Sequence, residues 1–276
     1  MKREFAPAKV NLTLHVTGQD PNGYHLLDSL VVFASIGDWV TGRLSPDLRL
    51  TVSGPHGTND LAGPDNLVLR AAQLFGQPLD LHLEKNLPIA SGIGGGSADA
   101  AATLKVAADI LDMPVPGLDG QLSLGADIPV CVAGPIAQRM RGIGEIIDPI
   151  HIPKGLGIIL INPGEKVSTP ACFAGLGSKN NAPMRVPEQG FGTIDGFFAW
   201  LADQRNDLET PARQLSPAID QVLSSLNLAN ARVARMSGSG ATCFGLFATP
   251  QEAHTAAQQI ENRHPEWWVK SGGILD

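Results

Sequence analysis

Leu87-Pro88-Ile89-Ala90-Ser91-Gly92-Ile93-Gly94-Gly95-Gly96-Ser97-Ala98-Asp99 is the segment of this chain best suited to hold an anion. Glycines admit positive φ and let a ligand or another backbone come close. The stretch feeds directly into an alanine-rich helix pattern, and the first N–H groups of a helix lack internal partners and carry the positive end of its dipole. Such a turn can cradle a polyphosphate. The same residues also read as a tight packed turn capped by Ser97. Two better-known phosphate loops do not fit: there is no Gly-Lys-Ser/Thr ending, and a dinucleotide fingerprint begun at Gly92 puts Ser97 where its last glycine belongs. A second feature lies near the start, where Lys9 and Asn11 stand two residues apart in an alternating run, so that a strand presents them side by side.

Those side chains need a scaffold. With 276 residues, 43% hydrophobic and 17% charged, the chain has room for one large folded domain or two modest ones. Val10, Leu12, Leu14 and Val16 alternate with Asn11, Thr13 and His15, the period of a half-buried strand with Lys9 and Asn11 on its polar face. Residues 97–111 contain neither Gly nor Pro and are rich in alanine, which predicts a helix ended by Pro114. Elsewhere the 31 glycines and 21 prolines break the chain into short elements without strict βαβ alternation, so the expected fold class is α+β rather than doubly wound. The segment 148–155 holds two prolines and precedes the apolar run Ile158 to Ile161. It sets the expected domain boundary, giving domains over 1–150 and 151–276.

Twenty Lys plus Arg against 27 Asp plus Glu give a net charge of −7, the wrong sign for a long phosphate backbone. Polymeric nucleic acid is therefore not an expected partner, whereas a nucleotide can be held by local N–H groups and one lysine. Cys131, Cys172 and Cys243 show no metal-ligand spacing and read as reduced core thiols. No run of about 18 apolar residues is present, so no membrane span is expected. Pro7, Lys9 and Asn11 interrupt any signal-like segment after Met1-Lys2-Arg3-Glu4, and a cytoplasmic location is expected.

Three segments taken together, Pro7-Ala8-Lys9-Val10-Asn11-Leu12, the glycine-rich turn and Ser237-Gly238-Ser239-Gly240-Ala241-Thr242-Cys243-Phe244-Gly245, resemble in order and spacing the three signatures of the GHMP small-molecule kinases. Gly23-Tyr24-His25-Leu26-Leu27-Asp28-Ser29-Leu30 and Gly125-Ala126-Asp127-Ile128-Pro129 are similar to the branch whose acceptor is a cytidine diphosphate conjugate of methylerythritol. The resemblance implies an N-terminal α+β nucleotide-binding domain and a C-terminal ferredoxin-like α+β domain, with both ligands in the cleft between them. It also implies ATP-dependent phosphorylation of a hydroxyl on the methylerythritol part, a step in non-mevalonate isoprenoid precursor synthesis. A GHMP kinase for homoserine or mevalonate, and a non-enzymatic binding module, are the alternatives.

Phosphoryl transfer asks the protein mainly for position and charge compensation. By the resemblance, Asp127 is the catalytic base and Lys9 its partner; locally, Asp127 also reads as an N-cap ahead of Pro129, and Lys9 as a solvated strand residue. The turn from Pro88 through Ile89, Ala90, Ser91, Gly92, Ile93, Gly94, Gly95, Gly96 and Ser97 to Ala98 is implied to hold ATP, with Asn66 near its adenine. Tyr24 would stack on the cytosine and His25 read its polar edge, while Asn11 lies near the methylerythritol end. Thr169 and a second stacking ring, Phe173, are implied by Ser168-Thr169-Pro170-Ala171-Cys172-Phe173; a Thr-capped turn with a core Phe reads the same way. Two positions depart from the pattern: Val31 stands where some relatives have an aromatic, and Ala98 where a second serine is usual. Mg²⁺ is expected from the chemistry, with no carboxylate assigned to it.

Overall fold

In the computed structural model, which describes residues 1–21 and 23–276, helices and strands are interspersed along the chain. The strands are β1 (Lys2–Asn11), β2 (His15–Gln19), β3 (His25–Leu44), β4 (Arg49–Ser53), β5 (Leu79–Glu84), β6 (Gln138–Gly142), β7 (Ile146–Pro149), β8 (Gly157–Asn162), β9 (Val233–Met236), β10 (Cys243–Phe247) and β11 (Trp268–Gly273). The helices are α1 (Leu67–Gln73), α2 (Gly95–Leu111), α3 (Leu118–Leu124), α4 (Ile128–Ala133), α5 (Thr169–Ala174), α6 (Ile194–Ala202), α7 (Glu209–Leu215), α8 (Ala218–Leu228) and α9 (Pro250–Arg263). The fold class is α+β.

Two compact units share the chain in segments: the first takes Met1–Lys9, Ile36–Ile89 and Gly94–Gly134, the second Val10–Ser35, Ala90–Ile93 and Pro135–Asp276. In the first unit, Trp39–Leu44 of β3 pairs antiparallel with β5, and β4 pairs parallel with β5. Leu79, Leu81 and Leu83 face inward from β5 while His82 faces out, the alternation of a strand with one buried face. Each such leucine contributes roughly 2 kcal/mol by leaving water. Helix α2 packs against α1 and α4, and Ala98, Ala100, Ala101, Ala102, Leu104 and Val106 are all buried, which makes it a helix enclosed on most sides. It begins two residues before the alanine pattern predicts, because Gly94 adopts φ 60 and serves as N-cap, leaving Gly95 and Gly96 already helical.

In the second unit, β2 and β6 each pair antiparallel with the first part of β3, and β7 pairs with β6. A four-stranded antiparallel sheet follows in the order β11-β8-β10-β9. Counted from β8 that is 4-1-3-2, with α8 entering before the second strand and α9 before the fourth: a ferredoxin-like arrangement. All six residues of β8 are buried, as an apolar run flanked on both faces requires, and Ile159, Ile161, Val222, Leu226, Phe247 and Ile260 share one core.

The half-buried strand expected around Lys9 is a different object. Ala8 to Val16 are all buried, polar residues included, and β1 stops at Asn11 before β2 starts at His15. Alternation predicted a solvated face; instead the polar side chains are satisfied by protein partners, which lets them be enclosed. Trp268 opens β11 and Trp267 is buried against His264, their rings 3.7 Å apart. Cys131, Cys172 and Cys243 are buried and free.

Candidate active site

Lys9 and Asp127 meet in the first unit, Nζ donating to Oδ2 at 2.9 Å. The lysine side chain is 4% exposed and the carboxylate side chain 36%, so the pair is closed on the cation's side and open on the anion's. Asp127 does occupy the N-cap position of α4, but its side chain makes no capping bond, and Pro129 in the first turn removes one N–H that would need one. The carboxylate is thereby left to Lys9. On the other side, a Cβ added at Gly94 would lie 2.9 Å from Lys9 Cε. The lysine stem thus runs against the residue that caps α2, and only a glycine fits there.

No side chain caps α2, and Ser97, expected as a possible cap, sits inside the helix instead. The N–H groups of Gly95, Gly96 and Ser97 belong to a first turn without i−4 carbonyl partners, the arrangement that favours an anion. Within the turn, Ile93 and Ala98 are buried anchors, while Ile89 is 40% exposed and Ala90 takes φ 51. Pro88 is half-buried. Asn66 caps α1, its Oδ1 accepting from Val68 N–H at 2.8 Å and its Nδ2 donating to Leu61 O at 2.6 Å. Leu67, the next residue, comes within 3.6 Å of a Cβ added at Gly96, which places the start of α1 beside the glycine turn.

In the second unit, Ser91–Ile93 and the Ser237–Gly240 loop are packed together. Gly92 has φ 79, and a Cβ on it would lie 2.8 Å from Gly240 N. Ser237 Oγ donates to Gly92 O at 3.0 Å and accepts from Asn11 N–H at 3.0 Å, and Thr242 N–H donates to Ser91 O at 3.1 Å. The side chain of Asn11 is fixed as well, Nδ2 donating to Ser29 Oγ at 2.8 Å. Val31 lies in the core and pairs with Gln138.

His25 and Phe173 stack on one another with ring centroids 4.4 Å apart and planes 19° from parallel. Burial, and next the positive charge of Lys179, pull the His25 pKa down, so the ring is neutral at pH 7 with one donor and one acceptor nitrogen. Its Nε2 is buried without a hydrogen-bond partner among the described residues. Tyr24 is 61% exposed. Thr169 Oγ1 and Ser239 Oγ are 2.7 Å apart, and Ser168, not Thr169, caps α5.

Sequence reasoning missed Ser29, although it falls inside the Gly23–Leu30 motif, because nothing local marks it as the partner of Asn11. It also missed Lys85, Asp38 and Asp99, a buried ion cluster directly below the glycine turn. Among the described residues no group of three or more His, Cys, Asp or Glu could hold a metal ion, and no helix is long and apolar enough to cross a membrane.

Comparison with known proteins fits this geometry. Residues 66–134 match the family described as GHMP kinases N terminal domain, and residues 191–266 the one described as GHMP kinases C terminal. The 4-diphosphocytidyl-2-C-methyl-D-erythritol kinase of Dinoroseobacter shibae is 54% identical over 269 residues, which cover 96% of this chain and 92% of that protein. The chain belongs to that kinase family. As a member it is an ATP-dependent small-molecule kinase, a phosphotransferase with an alcohol acceptor. A crystal structure of 4-(cytidine 5'-diphospho)-2C-methyl-D-erythritol kinase aligns over the whole of both chains with TM-score 0.83 at 29% identity. The homoserine kinase of Cytophaga hutchinsonii shares the fold alone, with TM-score 0.70 at 19% identity over 99% of this chain and 94% of that one.

Proposed function

We propose that this kinase transfers the γ-phosphoryl group of ATP to the 2-hydroxyl of 4-diphosphocytidyl-2-C-methyl-D-erythritol, giving the 2-phosphate and ADP, in the non-mevalonate route to isoprenoid precursors. The observation that carries the reading is Lys9, whose ammonium holds Asp127 at 2.9 Å while its stem lies against Gly94 at the head of α2. One residue thereby links a candidate base to a candidate phosphate turn. The Asp127 carboxylate takes the proton of the 2-hydroxyl as its oxygen bonds to the γ-phosphorus, and the bond to the β–γ bridging oxygen breaks, releasing ADP. Lys9 compensates charge on the transferring group, and the N–H groups opening α2 hold the phosphates.

Substrate recognition rests on the second unit. Asn11, two residues beyond Lys9 on β1, takes the methylerythritol end. His25 reads the cytosine edge with its neutral ring, Tyr24 and Phe173 supply flat faces for the base, and Thr169 adds a hydroxyl nearby. The Phe173 ring is stacked on His25, so a base entering between Tyr24 and Phe173 either shares that stack or displaces it. Asn66 borders the adenine while capping α1. Mg²⁺ bound with ATP would supply further charge compensation on the phosphates. As a division along the chain, residues 1–150 carry the nucleotide-binding domain and 151–276 the C-terminal domain, with the family matches at 66–134 and 191–266 one in each; the compact units interleave across that division, since Val10–Ser35 and Ala90–Ile93 belong to the second. A cytoplasmic location accords with three free cysteines.

The test is an ADP-release assay with purified chain, ATP, Mg²⁺ and the cytidine conjugate, with CDP as competitor. Turnover that depends on the conjugate and is inhibited competitively by CDP is expected. Turnover with homoserine or mevalonate that CDP leaves untouched would overturn the assignment.

A further inference from the structure

The two limbs of the glycine turn are joined, in the first unit, by three ionisable side chains that no step of the reaction uses. Lys85 follows the end of β5 and is buried; its Nζ donates to Asp38 Oδ2 at 2.5 Å and to Asp99 Oδ2 at 2.7 Å. Asp38 lies on β3, and its other oxygen accepts the backbone N–H of Asn86 at 2.5 Å and of Leu87 at 2.8 Å. These are the last residues before Pro88, the first residue of the turn. Asp99 sits in α2, one turn in from the Gly94 cap. Lys85 therefore ties the limb that enters the turn to the helix that leaves it. Its Nζ lies 3.1 Å from where a Cβ of Gly95 would be, just beneath the turn's own backbone.

Burying three ionisable groups is costly, and a well-packed apolar cluster of the same volume is often as stable or more so. What an apolar cluster lacks is direction: apolar burial is non-directional, whereas hydrogen bonds prefer particular distances and angles. We propose that Lys85, with Asp38 and Asp99, is a positioning device that holds the glycine turn preformed for the triphosphate without touching the nucleotide. This rests on the proposed function above, since it assigns the turn to ATP.

The charge state fits the role. Burial pushes the Asp99 carboxyl up to about 8, against the pull of Lys85, so near neutral pH it holds a proton. The cluster then contains one ammonium and one carboxylate, with no net negative charge under a turn meant for a polyanion. Asp99 Oδ1, buried and without a hydrogen-bond partner among the described residues, agrees with a site that is kept neutral.

Asp99→Ala cuts the helix side of the clamp and leaves Lys85 balanced by Asp38; Asp99→Asn keeps an acceptor for Lys85 and serves as the conservative rescue. With acceptor saturating, Asp99→Ala should raise KM for ATP about tenfold, and Asp99→Asn should stay within about threefold of wild type, since displacement of a binding group by less than 1 Å is enough to cost that much. Affinity for CDP, measured by titration calorimetry, should be unchanged in both. A KM for ATP in Asp99→Ala equal to that of wild type, or an equal loss of CDP affinity, overturns the positioning role and leaves a merely structural cluster. Should Asp99→Ala not fold, Asp38→Asn, which preserves size and one oxygen acceptor, is expected to raise KM for ATP in the same way, and an unchanged KM counts against the proposal. Wild-type protein without ATP-dependent turnover sinks both readings; wild-type turnover with unaltered variants sinks this one alone.

Discussion

Two sets of lysine and aspartate stand in the first unit within the reach of one helix start. Lys9 and Asp127 form an ion pair with the carboxylate open to solvent. Lys85, Asp38 and Asp99 form a triad with every side chain 5% exposed or less. The same residue types thus serve two ends. A carboxylate with an open side can meet a substrate and exchange a proton, while a sealed one can only hold its neighbours. The sealed set is also out of balance, two acids to one base, and answers by keeping a proton.

This contrast predicts that damage to the open pair removes chemistry and spares the fold. Asp127→Asn, which keeps an acceptor for Lys9, should lower kcat about a thousandfold, with the melting temperature moved by less than about 3 °C. Lys9→Ala should lower kcat by about a hundredfold or more, with the exposed Asp127 left hydrated. Steady-state kinetics beside a thermal melt checks both; near-normal turnover in either variant removes that residue from the mechanism. Tyr24→Ala extends the test to another exposed residue. It should weaken binding of CDP roughly tenfold or more, the worth of one stacking contact, with ATP affinity retained. Equal weakening of both ligands would contradict its placement at the base.

The sealed triad makes the smallest and most particular prediction, a slope of stability with pH. The folded Asp99 carboxyl titrates at about 8 against 3.8 for the ordinary group, so between those values the folded state binds the extra proton. Its contribution is present at low pH and is lost as pH rises through about 8. The ionisable groups against it are Lys85, Asp38 and Cys131 on α4, and the buried thiol, pushed up to about 12, stays neutral throughout. The melting temperature of wild type minus that of Asp99→Asn should therefore fall as pH goes from 5 to 9; a flat difference refutes it. His15 acts at the other end. Burial, then Arg205, lower its pKa from 6.5, so its contribution is present above that value and lost as pH falls below it, a drop that His15→Gln should flatten.

Much of this was legible in the chain. The glycine-rich turn announced its helix, and the cap fell at Gly94 because a residue without Cβ both accepts φ 60 and admits the lysine stem. Alternation misled at Lys9 and Asn11, since a polar residue is read as solvated unless its partner is known, and the partners are remote: Asp127, Ser29 and Ser237. Asp99 is the sharpest case. In sequence it is one more helix-opening acid, and only its enclosure with Lys85 and Asp38 gives it a proton to keep.

Local sequence determined what depends on neighbours along the chain: the helix that follows the glycines, the buried apolar strand at β8, and through its motifs the kinase family itself. Tertiary structure alone decided which charges face each other and which face water. A side chain's desolvation and its Coulomb partners are set by how the chain folds back on itself: Lys9 meets Asp127 across 118 positions and Lys85 meets Asp38 across 47, and even Lys85 and Asp99, 14 apart, are joined only because the chain turns between them.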